Sequence, residues 1–174
     1  LATLEDEKRR VYPSQWGANK AAGNGYIEIV KFLATLEDEK RRVYPNQASA
    51  DWAAENGNTE IVEFLAMLEE EKRRVYPSQV GADWAARNGH IEMVKFLATL
   101  KDEKRRVYPT QASVNEAVQN GHVEIVEFLA TLEDEKRRVY PSQWGADRAA
   151  ENGHIEVVKF LATLEDEKRR VYPS

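Results

Sequence analysis

Apolar residues return along this chain in two alternating rhythms. From Ser78 onward, Ala82, Trp84, Ala85 and Ala86 carry a small-residue helical stripe that ends at Asn88-Gly89. From Ile91 a more strongly apolar series follows, with Ile91, Val94, Leu97 and Leu100 on the three-and-four spacing of one helical face, widened by Met93 and Phe96. The pattern predicts a helix A that opens on the N-cap Ser78 and closes at Asn88-Gly89, where glycine supplies a left-handed residue. It predicts a helix B from about Ile91 to about Val107, stopped by Pro109 because the residue before proline is pushed out of the α region. Glu92 in the first turn of helix B and Lys104, Arg105 and Arg106 in its last suit the macrodipole.

The whole pattern then recurs. Leu1, Leu33, Leu65, Leu97, Leu129 and Leu161 open the same segment, and Val-Tyr-Pro returns at Val11, Val43, Val75, Val107, Val139 and Val171, a period of 32 without insertions. The prolines inside the array are followed by Ser14, Asn46, Ser78, Thr110 and Ser142, all good helix caps. The expected organisation is one array over 1–174: a partial repeat at 1–14, forming the second half of a helix B, then units at 15–46, 47–78, 79–110, 111–142 and 143–174. Residues 1–14 repeat residues 161–174. Two short antiparallel helices cannot bury their apolar faces alone, so units must stack. The expected fold class is all-α, an α-solenoid of stacked 32-residue helix-turn-helix repeats.

One segment adds a family resemblance. Ala149-Ala150-Glu151-Asn152-Gly153-His154-Ile155-Glu156-Val157-Val158-Lys159-Phe160-Leu161 resembles the helix-helix segment of an ankyrin repeat. Asp-Trp-Ala-Ala-Glu-Asn-Gly at Asp51 to Gly57 is similar to divergent, protist-type members of that family. The family's Thr-Pro-Leu-His opening is missing. Where the family makes a β-hairpin, this chain has Glu-Asp-Glu-Lys-Arg-Arg-Val-Tyr-Pro, expected here to extend helix B. The resemblance implies a recognition module that works without a cofactor.

Composition narrows the function classes. The chain is 42% hydrophobic and 32% charged with a net charge of -5, which describes interspersed charge rather than a polycation seeking nucleic acid. Apolar runs are broken by Glu or Lys within a few residues, so neither a membrane span nor a signal segment is expected. Without cysteine there is no disulfide framework and no thiol nucleophile. The compartment stays open.

Comparison of the units separates positions dictated by the fold from free ones. Helix A varies at Trp16, Ala48, Val80, Ala112 and Trp144; at Lys20, Trp52, Trp84, Glu116 and Arg148; and at Gly23, Glu55, Arg87, Gln119 and Glu151. These offsets are i, i+4 and i+7, one face of a helix. Trp and Arg are the residue types that anchor interfaces. The expected protein-binding stripe is therefore Trp16, Lys20, Trp52, Glu55, Val80, Trp84, Arg87, Glu116, Gln119, Trp144, Arg148 and Glu151. The alternatives are drift on a solvated face or tryptophan packing between units.

Other features are expected to be structural. Odd units carry Gly17, Gly81 and Gly145 with Lys31, Lys95 and Lys159, while even units carry Ser49 and Ser113 with Glu63 and Glu127. Stacking should turn the Lys/Glu alternation into a ladder of ion pairs between units. The Lys-Arg-Arg triplets, as at Lys40 to Arg42, follow acidic residues, and Glu37 with Arg41 and Asp38 with Arg42 are expected to pair at i, i+4 and neutralise the local charge. His90, His122 and His154 each open a helix B, a structural role, since Tyr26 and Asn58 replace them in other units. No catalytic constellation, metal-ligand cluster or phosphate loop is present.

The expected function is a non-catalytic scaffold that binds a protein or peptide through the variable face of helix A, with no cofactor and no small-molecule substrate. The alternative is end-to-end assembly with further copies of itself into a filament or longer solenoid. A partial unit exposing Leu1, Leu4 and Val11 lacks the polar cap that terminal repeats need.

Overall fold

The computed structural model describes residues 11–164. Among them are ten α-helices and no strand. Five first helices, α1 (Gln15–Gly23), α3 (Gln47–Glu55), α5 (Gln79–Arg87), α7 (Gln111–Gln119) and α9 (Gln143–Glu151), alternate with five second helices, α2 (Ile27–Ala34), α4 (Thr59–Ala66), α6 (Ile91–Ala98), α8 (Val123–Ala130) and α10 (Ile155–Thr163). The partial unit expected at 1–14 lies largely outside the described residues.

Each helix has only eight or nine residues, too short to persist alone in water. Packing supplies the stability. Ala53, Ala54, Ala85, Ala86, Ala117 and Ala149 are fully buried along the first helices, and Val62, Leu65, Val94 and Leu97 along the second helices. Burial of a leucine such as Leu97 contributes about 1.5–3 kcal/mol. Alanine lets backbones approach closely, so the first helices pack more intimately than the second.

The Asn-Gly turn has the expected conformation. Gly25, Gly57, Gly89, Gly121 and Gly153 all have positive φ, from 71° to 85°. First helices start at the expected caps: Asn46 Oδ1 accepts the Ser49 N–H at 3.0 Å, and Ser78 Oγ accepts the Val80 N–H at 3.2 Å.

The extended helix B is not found. α6 ends at Ala98, and α2, α4 and α8 end at the equivalent alanine. After it comes a loop with one turn of 3-10 helix, Glu103–Arg105, with counterparts at Glu39–Arg41, Glu71–Arg73 and Glu135–Arg137. Local competition for backbone groups ends the helix. Thr99 Oγ1 donates to the Lys95 carbonyl at 2.7 Å, and Asp102 Oδ1 accepts the Lys104 N–H at 3.1 Å. Side chains of these types favour caps and turns over helix interiors. The returning chain then takes up the freed carbonyls. Val107 N–H donates to Leu97 O at 3.2 Å, the Tyr108 hydroxyl to Ala98 O at 3.2 Å, and Arg106 Nε to Leu100 O at 2.8 Å.

Candidate protein-interaction face

The stripe residues stand on first helices that are held at both ends by the neighbouring unit. At the N-terminal end, an Asn or Asp from the preceding first helix reaches over the joint. Asn19 Oδ1 accepts the Asn46 N–H at 3.0 Å, Asp83 Oδ1 accepts that of Thr110 at 2.7 Å, and Asn115 Oδ1 accepts that of Ser142 at 2.8 Å. Gln79 and Gln111 donate forward to the carbonyls of Tyr108 and Tyr140 at 2.8 and 3.1 Å, and Gln15 makes the same bond to Tyr44.

At the C-terminal end, each joint is latched on one carbonyl. Glu55 O accepts from Asn88 Nδ2 and from His90 Nε2, both at 2.9 Å. Gly23 O accepts from Asn56 and Asn58 at 3.1 and 2.9 Å. Arg87 O accepts from Asn120 at 3.0 Å and from His122, and Gln119 O from Asn152 at 2.8 Å. This is the work of His90 and His122, and Asn58 replaces His90 in kind. Burial holds the His122 imidazole below its ordinary value, against the opposing effect of its bond to Arg87 O. Neither the cross-joint Asn/Asp caps nor the shared-carbonyl latch was read from the sequence. The invariance of Asn at the turn was the available signal.

The stripe residues share the outward side of this framework. Trp16, Lys20, Val80, Trp84, Arg87, Trp144 and Glu151 are exposed, and Trp52, Glu55, Glu116, Gln119 and Arg148 are half-buried. Trp16 keeps 70% of its surface exposed and Trp144 49%, large values for indoles. Trp52 differs. Its ring lies across Gly23 of the preceding unit, where a Cβ would fall 2.2 Å from Cε3, and Lys20 Nζ sits 4.2 Å above the ring centroid. That indole packs between units. Arg87 pairs with Glu116 of the next unit at 3.4 Å, while Arg148 pairs with Glu151 at 2.6 Å and lies 5.5 Å from the Trp144 centroid.

The expected Lys/Glu ladder does not form. Lys31 reaches Glu60 at 3.1 Å rather than Glu63, while Lys95 and Lys159 turn to Glu92 and Glu156 of their own helices at 3.2 and 2.9 Å. Lys31 also lies 3.6 Å from Glu28 of its own helix, so in all three units the glutamate three residues earlier is within reach of the lysine. The hydrogen bond that Lys31 donates to Glu60 raises the pKa of its ammonium above the ordinary value.

The basic triplets also pair differently. Arg41 meets Asp38 at 3.1 Å and Arg42 meets Glu39 at 3.3 Å, both at i, i+3. A 3-10 turn has three residues per turn and brings i and i+3 together. The first arginine of each pair also stacks on the tyrosine of the preceding unit, as Arg73 does at 4.5 Å from the Tyr44 centroid. Two of the three cations are thus used within the fold.

Among the described residues no group of three His, Asp or Glu side chains is placed to hold a metal ion. No helix is long and apolar enough to cross a membrane. A family model described as ankyrin repeats, in three copies, matches residues 82–170. No curated protein and no solved structure matches the chain.

Proposed function

Because the chain belongs to the ankyrin-repeat family, we propose that it is a non-catalytic scaffold that binds a protein or peptide along the exposed face of its first helices. Ankyrin repeats are generally protein–protein interaction scaffolds. The observation that carries the reading is the exposure of Trp16, Val80, Trp84 and Trp144 on the helical face whose residues differ most between units. Rigid aromatic side chains on a preformed helical face lose little freedom on binding and supply large contact area. Arg87, Glu116, Arg148 and Glu151 around them make exposed ion pairs, which are worth about 0–1 kcal/mol each and can exchange partners cheaply.

The test needs a partner, obtained by panning a peptide-display library on the purified chain. Trp84→Ala with Trp144→Ala should weaken binding by at least about 2 kcal/mol while helicity is retained. Binding unchanged by both substitutions would sink the reading. The competing one, end-to-end assembly, requires a scattering mass that climbs with protein concentration, and a constant mass rules it out.

A further inference from the structure

Five Asn-Gly steps close the first helices, at Asn24, Asn56, Asn88, Asn120 and Asn152. We propose that these steps are sites of spontaneous deamidation gated by the joints between units: each amide survives while its joint is closed and is lost when the joint opens, after which the joint stays uncoupled.

The chemistry needs only water and a solvent base. The glycine nitrogen gives up its proton and bonds to the asparagine Cγ. The Cγ–Nδ2 bond breaks, and that nitrogen takes a proton and leaves as ammonia. Water then opens the cyclic imide at one carbonyl or the other, giving aspartate or isoaspartate. No electrons are gained or lost.

Three contacts oppose ring closure: one across the joint with the preceding unit, one within the unit and one from the following unit. The leaving nitrogen is engaged, with Asn56, Asn88, Asn120 and Asn152 donating to Gly23, Glu55, Arg87 and Gln119 carbonyls at 2.8–3.1 Å. The attacking nitrogen is engaged too, since Gly57, Gly89, Gly121 and Gly153 N–H groups donate to carbonyls three residues earlier at 3.1–3.2 Å. A ring from the following unit also sits on three of the glycines. His90, His122 and His154 lie where a Cβ on Gly57, Gly89 or Gly121 would be, at 2.5–2.6 Å. Access of water is not the gate, because all five asparagines are exposed. Asn24 provides the internal contrast at the first contact alone: Gly25 N–H donates to Ala22 O at 3.2 Å and Asn58 lies against Gly25, but the Asn24 side-chain amide has no acceptor among the described residues.

Loss of the amide is self-reinforcing. A carboxylate has no donor, and it would face the carbonyl that the amide had served. The joint loses one of the donors on its shared carbonyl and gains a repulsion. In an array whose stability is a sum of nearest-neighbour terms, opening is local to that joint.

The experiment ages the purified chain in mildly alkaline buffer and follows each Asn-Gly peptide by mass spectrometry. Asn24 should convert at least about tenfold faster than Asn88 and Asn120 in the folded chain, with the rates converging in guanidinium. His90→Ala should accelerate loss at Asn88 severalfold, and His90→Asn, copying Asn58, should restore the slow rate. Equal rates at all sites in the folded chain would overturn the proposal. So would a spread of rates that persists in guanidinium, or an Asn88 rate unmoved by His90→Ala.

Discussion

Asp51 holds the cap of the next unit with both carboxylate oxygens, Oδ1 accepting the Ser78 backbone N–H at 2.5 Å and Oδ2 the Ser78 hydroxyl at 2.9 Å. The first helix of one unit thereby fixes the start of the next. Asn19, Asp83 and Asn115 occupy the same position and accept the equivalent N–H. The Gly and Ser that alternate among units meet this contact differently. Ser113 Oγ donates to Asp83 Oδ1 at 2.7 Å, whereas a Cβ on Gly81 would come within 2.6 Å of Asp51 Oδ1.

Replacement of Asp51 should therefore unlock one joint. Asp51→Ala leaves the Ser78 N–H without its acceptor and is expected to destabilise by about 1–3 kcal/mol, the cost of an unpaired polar group in a half-buried place. Asp51→Asn keeps one acceptor oxygen, as Asn115 does, and should cost less. Denaturant midpoints of the two variants check the order, and equal losses would show that the carboxylate acts otherwise.

Two left-handed glycines separate strain from contact. Gly153 has φ +78° and nothing within 4 Å of a built Cβ, so Gly153→Ala should cost only the left-handed penalty of about 1–2 kcal/mol. Gly89, with φ +83°, also has His122 Cε1 at 2.6 Å. Gly89→Ala should cost clearly more than Gly153→Ala in the same thermal or denaturant melt.

The tyrosine of each Val-Tyr-Pro step closes the second helix before it. Tyr108→Phe removes the hydroxyl donor to Ala98 O but leaves the ring under Arg137, 5.3 Å from its centroid. A loss of about 0.5–1.5 kcal/mol is expected, with Tyr108→Ala costing more. Circular dichroism should show no gain of helix in either variant. A gain would mean that the loop is held short only by this bond.

That loop marks the limit of what the residues reveal by local pattern. The 32-residue unit, the caps after proline and the Asn-Gly stops were legible because each is a short-range effect of one or two residues. The end of the second helix was not. Its Glu-Asp-Glu-Lys-Arg-Arg run has good helix propensity, and the competing Thr99 and Asp102 bonds are settled by the return of Val107, Tyr108 and Arg106 to carbonyls several residues back. In the candidate face, variation at i, i+4 and i+7 marked an outward side, because period alone decides which residues share a face. The seat of Trp52 on Gly23 was hidden, because it depends on which residue of the preceding unit lacks a side chain.

The histidine latch carries a pH dependence whose sign is fixed by burial. Desolvation lowers the His122 pKa from its ordinary 6.5, with the bond to Arg87 O and the nearby Glu124 opposing and His90 and His154 adding to the fall. Below 6.5 the unfolded side chain takes up a proton that the folded one resists, so the unfolded state binds more protons there and stability rises with pH. The contribution is fully present above the unfolded value and is lost as pH falls through it toward the depressed folded value. His122→Asn, which can donate to the same carbonyl as Asn58 does in its unit, removes the titration and keeps the latch. The loss of stability from about pH 7.5 to about pH 5.5 should therefore be smaller in His122→Asn than in the parent, the carboxylates contributing equally to both. Identical losses would mean that the imidazole titrates alike in the folded and unfolded chains.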